Sequence, residues 1–208
     1  SCRIVGTTLI PGDAGSPCQL SATRIGDANY LAAVPDFQTI TVRKLAQQTL
    51  AIANATDMVV GTLDLFTSGG SGSGSVSYSV NSGDASRCSI SGTTLTASAS
   101  GDCRISAIKA ASTNYDASNI ATATIHVSKD VQNVVFTSTA PSFPVAQGSY
   151  VPTATSTSAL AVTFSIVTSN STPACAFDSV DSRKINFLTS GDCEIVATQV
   201  GNARYSAA

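Results

Sequence analysis

Six cysteines fall into three pairs of repeating spacing, and that spacing constrains the fold more than any other feature of the chain. Cys2 and Cys18 are 16 positions apart, Cys88 and Cys103 are 15 apart, and Cys175 and Cys193 are 18 apart. Laid in register on the second cysteine, CQLSATRIGDANYLAA from Cys18, CRISAIKAASTNYDAS from Cys103 and CEIVATQVGNARYSAA from Cys193 are one motif written three times. Each reaches a tyrosine (Tyr30, Tyr115, Tyr205) twelve positions on. Cys88 follows Cys2 by 86 positions and Cys175 follows Cys88 by 87. The 208 residues therefore hold about 2.4 copies of a module of roughly 85 to 90 residues, the signature of a repeat architecture.

Inside the motif, Cys103, Ile105 and Ala107 alternate with Arg104, Ser106 and Ile108, and the other copies keep cysteine, aliphatic and alanine at the same steps. A period of two predicts a half-buried β-strand. The middle copy offers further short, β-branched segments at Thr49–Ala53, Val59–Phe66, Val76–Val80, Cys88–Ile90, Thr94–Ala97 and Ile120–Val127, separated by Gly, Ser and Asn clusters. About seven short strands in fewer than about 90 residues predict an antiparallel β-sandwich, and no stretch has a helical period with caps. The fold class expected is all-β, with tandem sandwich modules arranged end to end.

The surface is unusual in what makes it polar. Hydrophobic residues are 43% of the chain but charged residues only 12%, against about 25% in a typical soluble domain. Hydroxyls fill the gap, with 31 Ser and 25 Thr. Net charge is −2, and no basic cluster exceeds the pairs Arg43–Lys44 and Arg183–Lys184, so the basic stripe of a nucleic-acid binder is missing. No apolar run approaches the ~20 residues needed to cross a bilayer as a helix. The chain starts at Ser1 without a charged and apolar leader, which reads as a processed protein or a fragment of one.

A Gly-(Asp)-Cys strand opening, an alternating strand, then Gly-x-Ala-x-Tyr-x-Ala and a closing strand resembles the bacterial immunoglobulin-like repeats of large cell-surface and secreted proteins. The likeness is carried by Cys18–Ala33 with the strand to Val42, Gly101–Ala117 with the strand to Val127, and Gly191–Ala207, and it covers essentially the whole chain. The middle copy departs at Ala111 and Thr113, where the others have Gly and Ala, and the first has Gly15, Ser16, Pro17 before its cysteine. The resemblance implies an Ig-like sandwich. It does not select among adhesins, surface fibres, enzyme spacers, S-layers and phage appendages.

Pairing within each copy (Cys2–Cys18, Cys88–Cys103, Cys175–Cys193) is the one connectivity that treats every copy alike. Each bridge closes a loop worth about 3 kcal/mol of chain entropy, which small sandwiches lacking Trp can use. Such pairs imply export to an oxidising space. A zinc site wants clustered ligands at short spacing, and none is present. Tyr30, Tyr115 and Tyr205 are read as structural, each ring covering the end of a core with its hydroxyl bonded to backbone, rather than as binding aromatics.

No catalytic constellation emerges, and no cofactor is expected. The only imidazole, His126, shares the outward face of its strand with Thr122 and Thr124, so a Ser/His/Asp arrangement is not formed. Twelve Asp face a single Glu, Glu194, on the outward phase of its strand, which argues against paired glycosidase carboxylates. Asp27, Asp102, Asp116 and Asp192 are expected in turns. Asp178, Asp181 and Asp130 are the residues that would serve a Ca²⁺ at a module junction, without EF-hand or RTX spacing. Ser68–Ser75 reads as a flexible connection, since a phosphate loop needs a Lys and a following helix. Asn54 and Asn170 head N-glycosylation sequons.

The module boundaries expected are 1–44 for the C-terminal part of one copy, 45–129 for a complete copy and 130–208 for a copy lacking its closing strand. Three second halves, two first halves and two closing strands do not balance in a head-to-tail polymer, so the chain is expected to be a window on a longer array. Junctions at Lys44–Gln47 and Lys129–Gln132 lack Gly and Pro. Stacked modules of roughly 35–45 Å would form a stiff rod, and lateral pairing of edges into filaments is open to it. The leading reading is an extracellular, non-catalytic shaft of an adhesin or surface filament, whose partners are neighbouring modules of the same chain. The alternatives are modules that bind glycan or receptor through Ser68–Ser75 and Val167–Pro173, or accessory domains of a secreted polysaccharide-degrading enzyme.

Overall fold

In the computed structural model, which describes residues 2–142, 144–167 and 173–208, the chain is all-β, with one turn of 3-10 helix at Ser82–Asp84 among the described residues. It divides into two compact units. One gathers the residues up to Asp57 with Thr62–Ala97 and Asp102–His126, and the other Met58–Gly61, Ser98–Gly101 and Val127–Ala208.

The first sequence copy supplies two ribbons, β1 (Arg3–Val5) with β2 (Thr8–Ile10), and β3 (Pro17–Ala22) with β4 (Asp36–Thr41), all antiparallel. A two-stranded ribbon without a facing sheet has little to bury against. Accordingly every residue of β4 is exposed, and Cys18 is the one fully buried side chain of β3.

The middle copy builds the two-layer arrangement of a sandwich. Its strands are β5 (Ala51–Ile52), β6 (Met58–Val59), β7 (Gly61–Asp64), β8 (Thr67–Ser68), β9 (Val76–Val80), β10 (Cys88–Ser91), β11 (Thr94–Ala97), β12 (Gly101–Lys109) and β13 (Ala121–Ser128). One sheet runs β10-β11-β7 and the other β6-β13-β12-β9, with β5 and β8 as a separate ribbon. Alternation decides which side chains go inside. Along β13, Ala121, Ile125 and Val127 are buried while Thr122, Thr124 and His126 face out, and along β12 Cys103, Ile105 and Ala107 are buried. Leu95, Cys103 and Ile125 are wholly inaccessible. The single strand expected over Val59–Phe66 is two strands, because the chain changes sheets at Val60–Gly61: β6 pairs in parallel with β13, and β7 joins β11.

The third copy repeats the plan with β14 (Val134–Phe136), β15 (Ser149–Tyr150), β16 (Ala154–Ser156), β17 (Thr163–Val167), β18 (Cys175–Phe177), β19 (Ile185–Phe187) and β20 (Glu194–Thr198). The sheet β15-β19-β18 corresponds to β7-β11-β10, the pair β17-β20 to β9-β12, and β14-β16 to β5-β8. Ile185 is wholly buried at the centre of its sheet, and the rings of Phe136 and Phe164 pack with centroids 5.9 Å apart.

Candidate functional site

The most elaborate local structure in the molecule is the turn that follows each second cysteine, and it recurs at the level of single hydrogen bonds. The N–H of Asp27, Ser112 and Asn202 donates to the carbonyl of Tyr30, Tyr115 and Tyr205 at 2.9, 3.0 and 3.0 Å. Six residues beyond each of those donors, the N–H of Ala33, Ser118 and Ala208 donates to Arg24, Lys109 and Gln199 at 3.0, 2.9 and 2.9 Å. In the outer copies an Asx side chain completes the turn: Asp27 Oδ1 accepts from the N–H of Asn29 and Tyr30, and Asn202 Oδ1 from Arg204 and Tyr205. These two turns are packed around a glycine: a Cβ on Gly26 would lie 2.6 Å from the Tyr30 carbonyl oxygen and one on Gly201 2.5 Å from that of Tyr205. The middle copy, with Ala111 and Ser112 at these positions, makes the same main-chain bonds.

In the middle and third copies the turn is held to an upstream segment of the chain. Leu45 bridges Tyr115 and Asp130 bridges Tyr205 in parallel: Leu45 N–H donates to Asn114 O (2.9 Å) and its carbonyl accepts from Asp116 (2.9 Å), as Asp130 does with Arg204 and Ser206 (both 2.8 Å). Two residues on, a glutamine closes the joint. Gln47 Nε2 donates to the carbonyls of Asp116 (2.7 Å) and Ala110 (3.1 Å), and its Oε1 accepts from the N–H of Gly72 (3.3 Å). Gln132 does the same in the third copy, donating to Ser206 O (2.5 Å) and to Gln199 Oε1 and accepting from Ser158 Oγ. Gln132 and Gln199 are only 6% and 5% exposed. Sequence reasoning missed both clamps, although the offset of 85 between Gln47 and Gln132 matches that between Leu45 and Asp130.

The tyrosines therefore act through their backbone, and the expected cover over a core end is not what Tyr30 provides. Among the described residues no segment bridges it, and it is 73% exposed. Tyr115 and Tyr205 are half-buried, the latter under the Arg204 guanidinium, 5.5 Å from the ring centre. The hydroxyl bonds found are elsewhere, Tyr150 with Ser138 Oγ at 2.5 Å and Tyr78 to the Leu65 carbonyl at 3.5 Å.

Cys2–Cys18, Cys88–Cys103 and Cys175–Cys193 are disulfide-bonded, with Cα separations of 5.6, 6.0 and 5.7 Å. The second of these joins β10 of one sheet to β12 of the other, so it staples the two layers together.

Asp84 is the one buried carboxylate among the described residues. Both its oxygens are satisfied by Arg104, through side chain and main chain, and Oδ1 also by Arg87 (3.1 Å). The Arg104 side-chain bonds, first of all, hold this carboxyl far below the usual range, against the opposing effect of burial. His126 stands on the solvent face of β13, with Nδ1 2.6 Å from Asp102 Oδ1. That bond and the Asp102 charge raise its pKa. Asp102 thus lies in a strand rather than in the expected turn, directed to the neighbouring strand's imidazole.

The residues weighed for Ca²⁺ are engaged within their own turns. Asp178 accepts from Val180 and Asp181 N–H and from Asn186 Nδ2, Asp181 from Arg183, and Asp130 from Val131 N–H. Among the described residues no group of three or more His, Cys, Asp or Glu is placed to share a metal. Asn54 spends its amide on Asp64 O and Phe66 N–H, bridging to β7 and to the link before β8. Asn170 and the Val167–Pro173 loop's interior lie outside the described residues. The Ser68–Ser75 segment is tied down instead of free: Lys109 Nζ donates to Gly70 O, Gln48 N–H to Ser71 Oγ, and Gly74 passes so close to Ala110 that a Cβ would lie 2.0 Å from its carbonyl oxygen.

No protein-family profile matches the chain, and none of the curated proteins does. Among solved structures it is similar to the protocadherin GammaB4 extracellular domain, at 12% identity and a TM-score of 0.33, over 89% of this chain and 37% of that one. The chain spans little more than a third of that structure's length, and its all-β architecture rests on the strand pairing described above. No helix among the described residues is long and apolar enough to cross a membrane.

Proposed function

We propose that the chain is a non-catalytic stretch of an extracellular repeat array, the shaft of a long cell-surface adhesin or filament, with modules 1–44, 45–129 and 130–208 placed end to end as a rod. The observation that carries this reading is recurrence: a disulfide and a tyrosine turn in all three copies, and a glutamine clamp in the second and third. Selection for a spacer would act on such joints. The polar chemistry supports it: the buried carboxylate is neutralised by two arginines, the Gly/Ser loop is anchored to its own module, and the surface is hydroxylated and weakly charged. Contacts also run between sequence copies, from Ala14 N–H to Asn114 Oδ1 (2.9 Å) and from Ser100 N–H to Ala203 O (3.0 Å), different in detail but each linking the segment before a second cysteine to the turn before the next tyrosine. Three disulfides support this reading, since such bonds persist in oxidising spaces. The test is made in the intact parent protein: deleting residues 45–129 shortens the particle seen by electron microscopy by about one module, roughly 35–45 Å, and leaves binding at its tip unchanged. Saturable binding of glycan or host receptor by the purified 208-residue chain would contradict an inert shaft.

A further inference from the structure

β9 lies inside the middle copy, whose two sheets are both formed, and it is an edge strand with an unguarded outer side. It pairs with β12 alone, in the register Ser77↔Ile108 and Ser79↔Ser106. Just beyond its ends, the carbonyl of Ser75 accepts from Ala110 N–H (2.8 Å) and the N–H of Asn81 donates to the Arg104 carbonyl (2.9 Å). Antiparallel pairing alternates, so Ser77 and Ser79 turn their main-chain groups to β12, while Val76, Tyr78 and Val80 turn theirs to the open side. Among the described residues no main-chain group of these last three has a main-chain partner. The side chains agree. Ile105 and Ala107 of β12 are buried, whereas Val76, Tyr78 and Val80 are half-buried, although Val76 and Tyr78 pack on the core of Leu50, Ala107 and Ala121. Sheet edges are ordinarily blunted by Lys, Pro or a bulge. β9 carries no charge and no Pro, and its register with β12 advances one for one, without a bulge.

The sequence of this edge specifies its partner. Val76-Ser77-Tyr78-Ser79-Val80 reads the same in both directions. Laid antiparallel on a second β9 about a two-fold axis at Tyr78, Val76 faces Val80, Tyr78 faces Tyr78 and each Ser77 faces a Ser79. The residues with free main-chain groups then fall opposite one another, and each such pair exchanges two bonds. A shift of one residue fails, because it sets free groups against groups already spent on β12. Both faces also continue across the axis, Val and Tyr on the core side and Ser on the outer side, where Ser79 Oγ already meets Ser106 Oγ at 2.8 Å. β17, the corresponding edge of the third copy, lacks the symmetry: antiparallel to itself about Ser165 it would set Thr163 against Val167 and Phe164 against Ile166. A net charge of only −2 offers little repulsion between copies. We propose that β9 is a homotypic contact, through which two copies of this chain join edge to edge, antiparallel about Tyr78, in an isologous pairing that links shafts side by side. The pairing goes beyond the shaft reading and does not require it, since a lone middle copy presents the same edge.

A pairing of five residues is far smaller than a standard interface of about 1,600 Å², so the dimer is weak and forms only at high concentration. The test is amide exchange in the full chain at about 10 µM and about 1 mM, concentrations that bracket a weak contact. Exchange of Val76, Tyr78 and Val80 slows by at least about fivefold at the higher concentration, while Ser77 and Ser79, bonded to β12 throughout, do not change. Ser77→Lys with Ser79→Lys, both at exposed positions, sets lysines face to face across the axis and abolishes the slowing. Ser77→Glu with Ser79→Glu does the same alone, and an equal mixture of the two variants restores it. Unaltered protection of residues 77 and 79 in each variant shows that β9 still pairs with β12. Exchange at Val76, Tyr78 and Val80 that ignores concentration, slowing that survives in the lysine variant, or a mixture that behaves as its separate parts overturns the proposal. An elongated monomer in solution scattering at the lower concentration leaves the shaft reading standing in each of those cases.

Discussion

Replacing Gln132 with Ala distinguishes a buried clamp from polar contacts that water can replace. Gln132 makes three hydrogen bonds, to Ser206 O, to Gln199 Oε1 and from Ser158 Oγ, in a setting where it and Gln199 are 6% and 5% exposed. Each such bond is worth about 1 kcal/mol net, and a buried partner left unsatisfied raises the loss to about 1–3 kcal/mol. Gln132→Ala is therefore expected to destabilise the unit containing it by about 3 kcal/mol. Gln47→Ala removes bonds of the same design from a half-buried site where water can replace them, and should cost about 1 kcal/mol. Urea unfolding followed by hydrogen exchange resolves the two units, and with m near about 1 kcal/mol/M the Gln132→Ala midpoint falls by roughly 2–3 M. A loss below about 1 kcal/mol for Gln132→Ala, or a larger loss for Gln47→Ala, would refute the claim that burial of the clamp locks the third copy's first strand to its turn.

Opening any single disulfide, as in Cys88→Ser with Cys103→Ser, should cost about 3 kcal/mol, because loops of this length differ by only about 0.2 kcal/mol in closure entropy; thermal unfolding of the three double variants checks it, and a spread of several kcal/mol would show that packing, not closure, sets the effect. The His126 imidazole, followed by NMR, titrates above its ordinary value of about 6.5, and Asp102→Asn lowers it toward that value while the Asp57 charge still acts on it. Because the folded pKa is raised, the pair's contribution to stability is full below about 6.5 and is lost as pH rises through the folded value; it is small, since His126 and Asp102 side chains are 65% and 52% exposed. Asp84 has the opposite sign: its folded pKa is depressed, so its contribution is present above about 3.9 and lost as pH falls toward the folded value, and Asp84→Asn should flatten the acid limb of the pH–stability curve. Gly74→Ala, whose Cβ meets Ala110 O at 2.0 Å, is expected to destabilise more than Gly92→Ala, where nothing lies within 4 Å and only the left-handed φ of 61° costs about 1–2 kcal/mol.

How much of this was legible in the sequence depended on whether the signal was local or periodic. Strands β9 and β11 coincide with the alternating segments Val76–Val80 and Thr94–Ala97, and His126 faces out with Thr122 and Thr124, because a period of two is written in consecutive residues. The sheet change at Val60–Gly61 was not legible, since Val59 and Val60 read as one apolar run until their partners are known. Asp84 was invisible for a related reason: its chief partner Arg104 is 20 positions away, and the nearby Arg87, three positions on, does not by itself mark a buried carboxylate. The clamps at Gln47 and Gln132 sit in junctions that look like featureless linkers, and their spacing of 85 differs from the 87 and 90 of the cysteines and tyrosines, so aligning the copies on the motif does not bring them into register. The tyrosines recur because the turn's main chain recurs; their aromatic character suggested a role for the ring that Tyr30, 73% exposed, does not play.

The central claim, that the copies are modules of an end-to-end array, is tested most directly by small-angle X-ray scattering from the 208-residue chain. About 2.4 modules in line predict a maximum dimension near 100 Å and a radius of gyration of about 29 Å. A radius of gyration of about 17 Å, the value for a compact fold of this length, would contradict it.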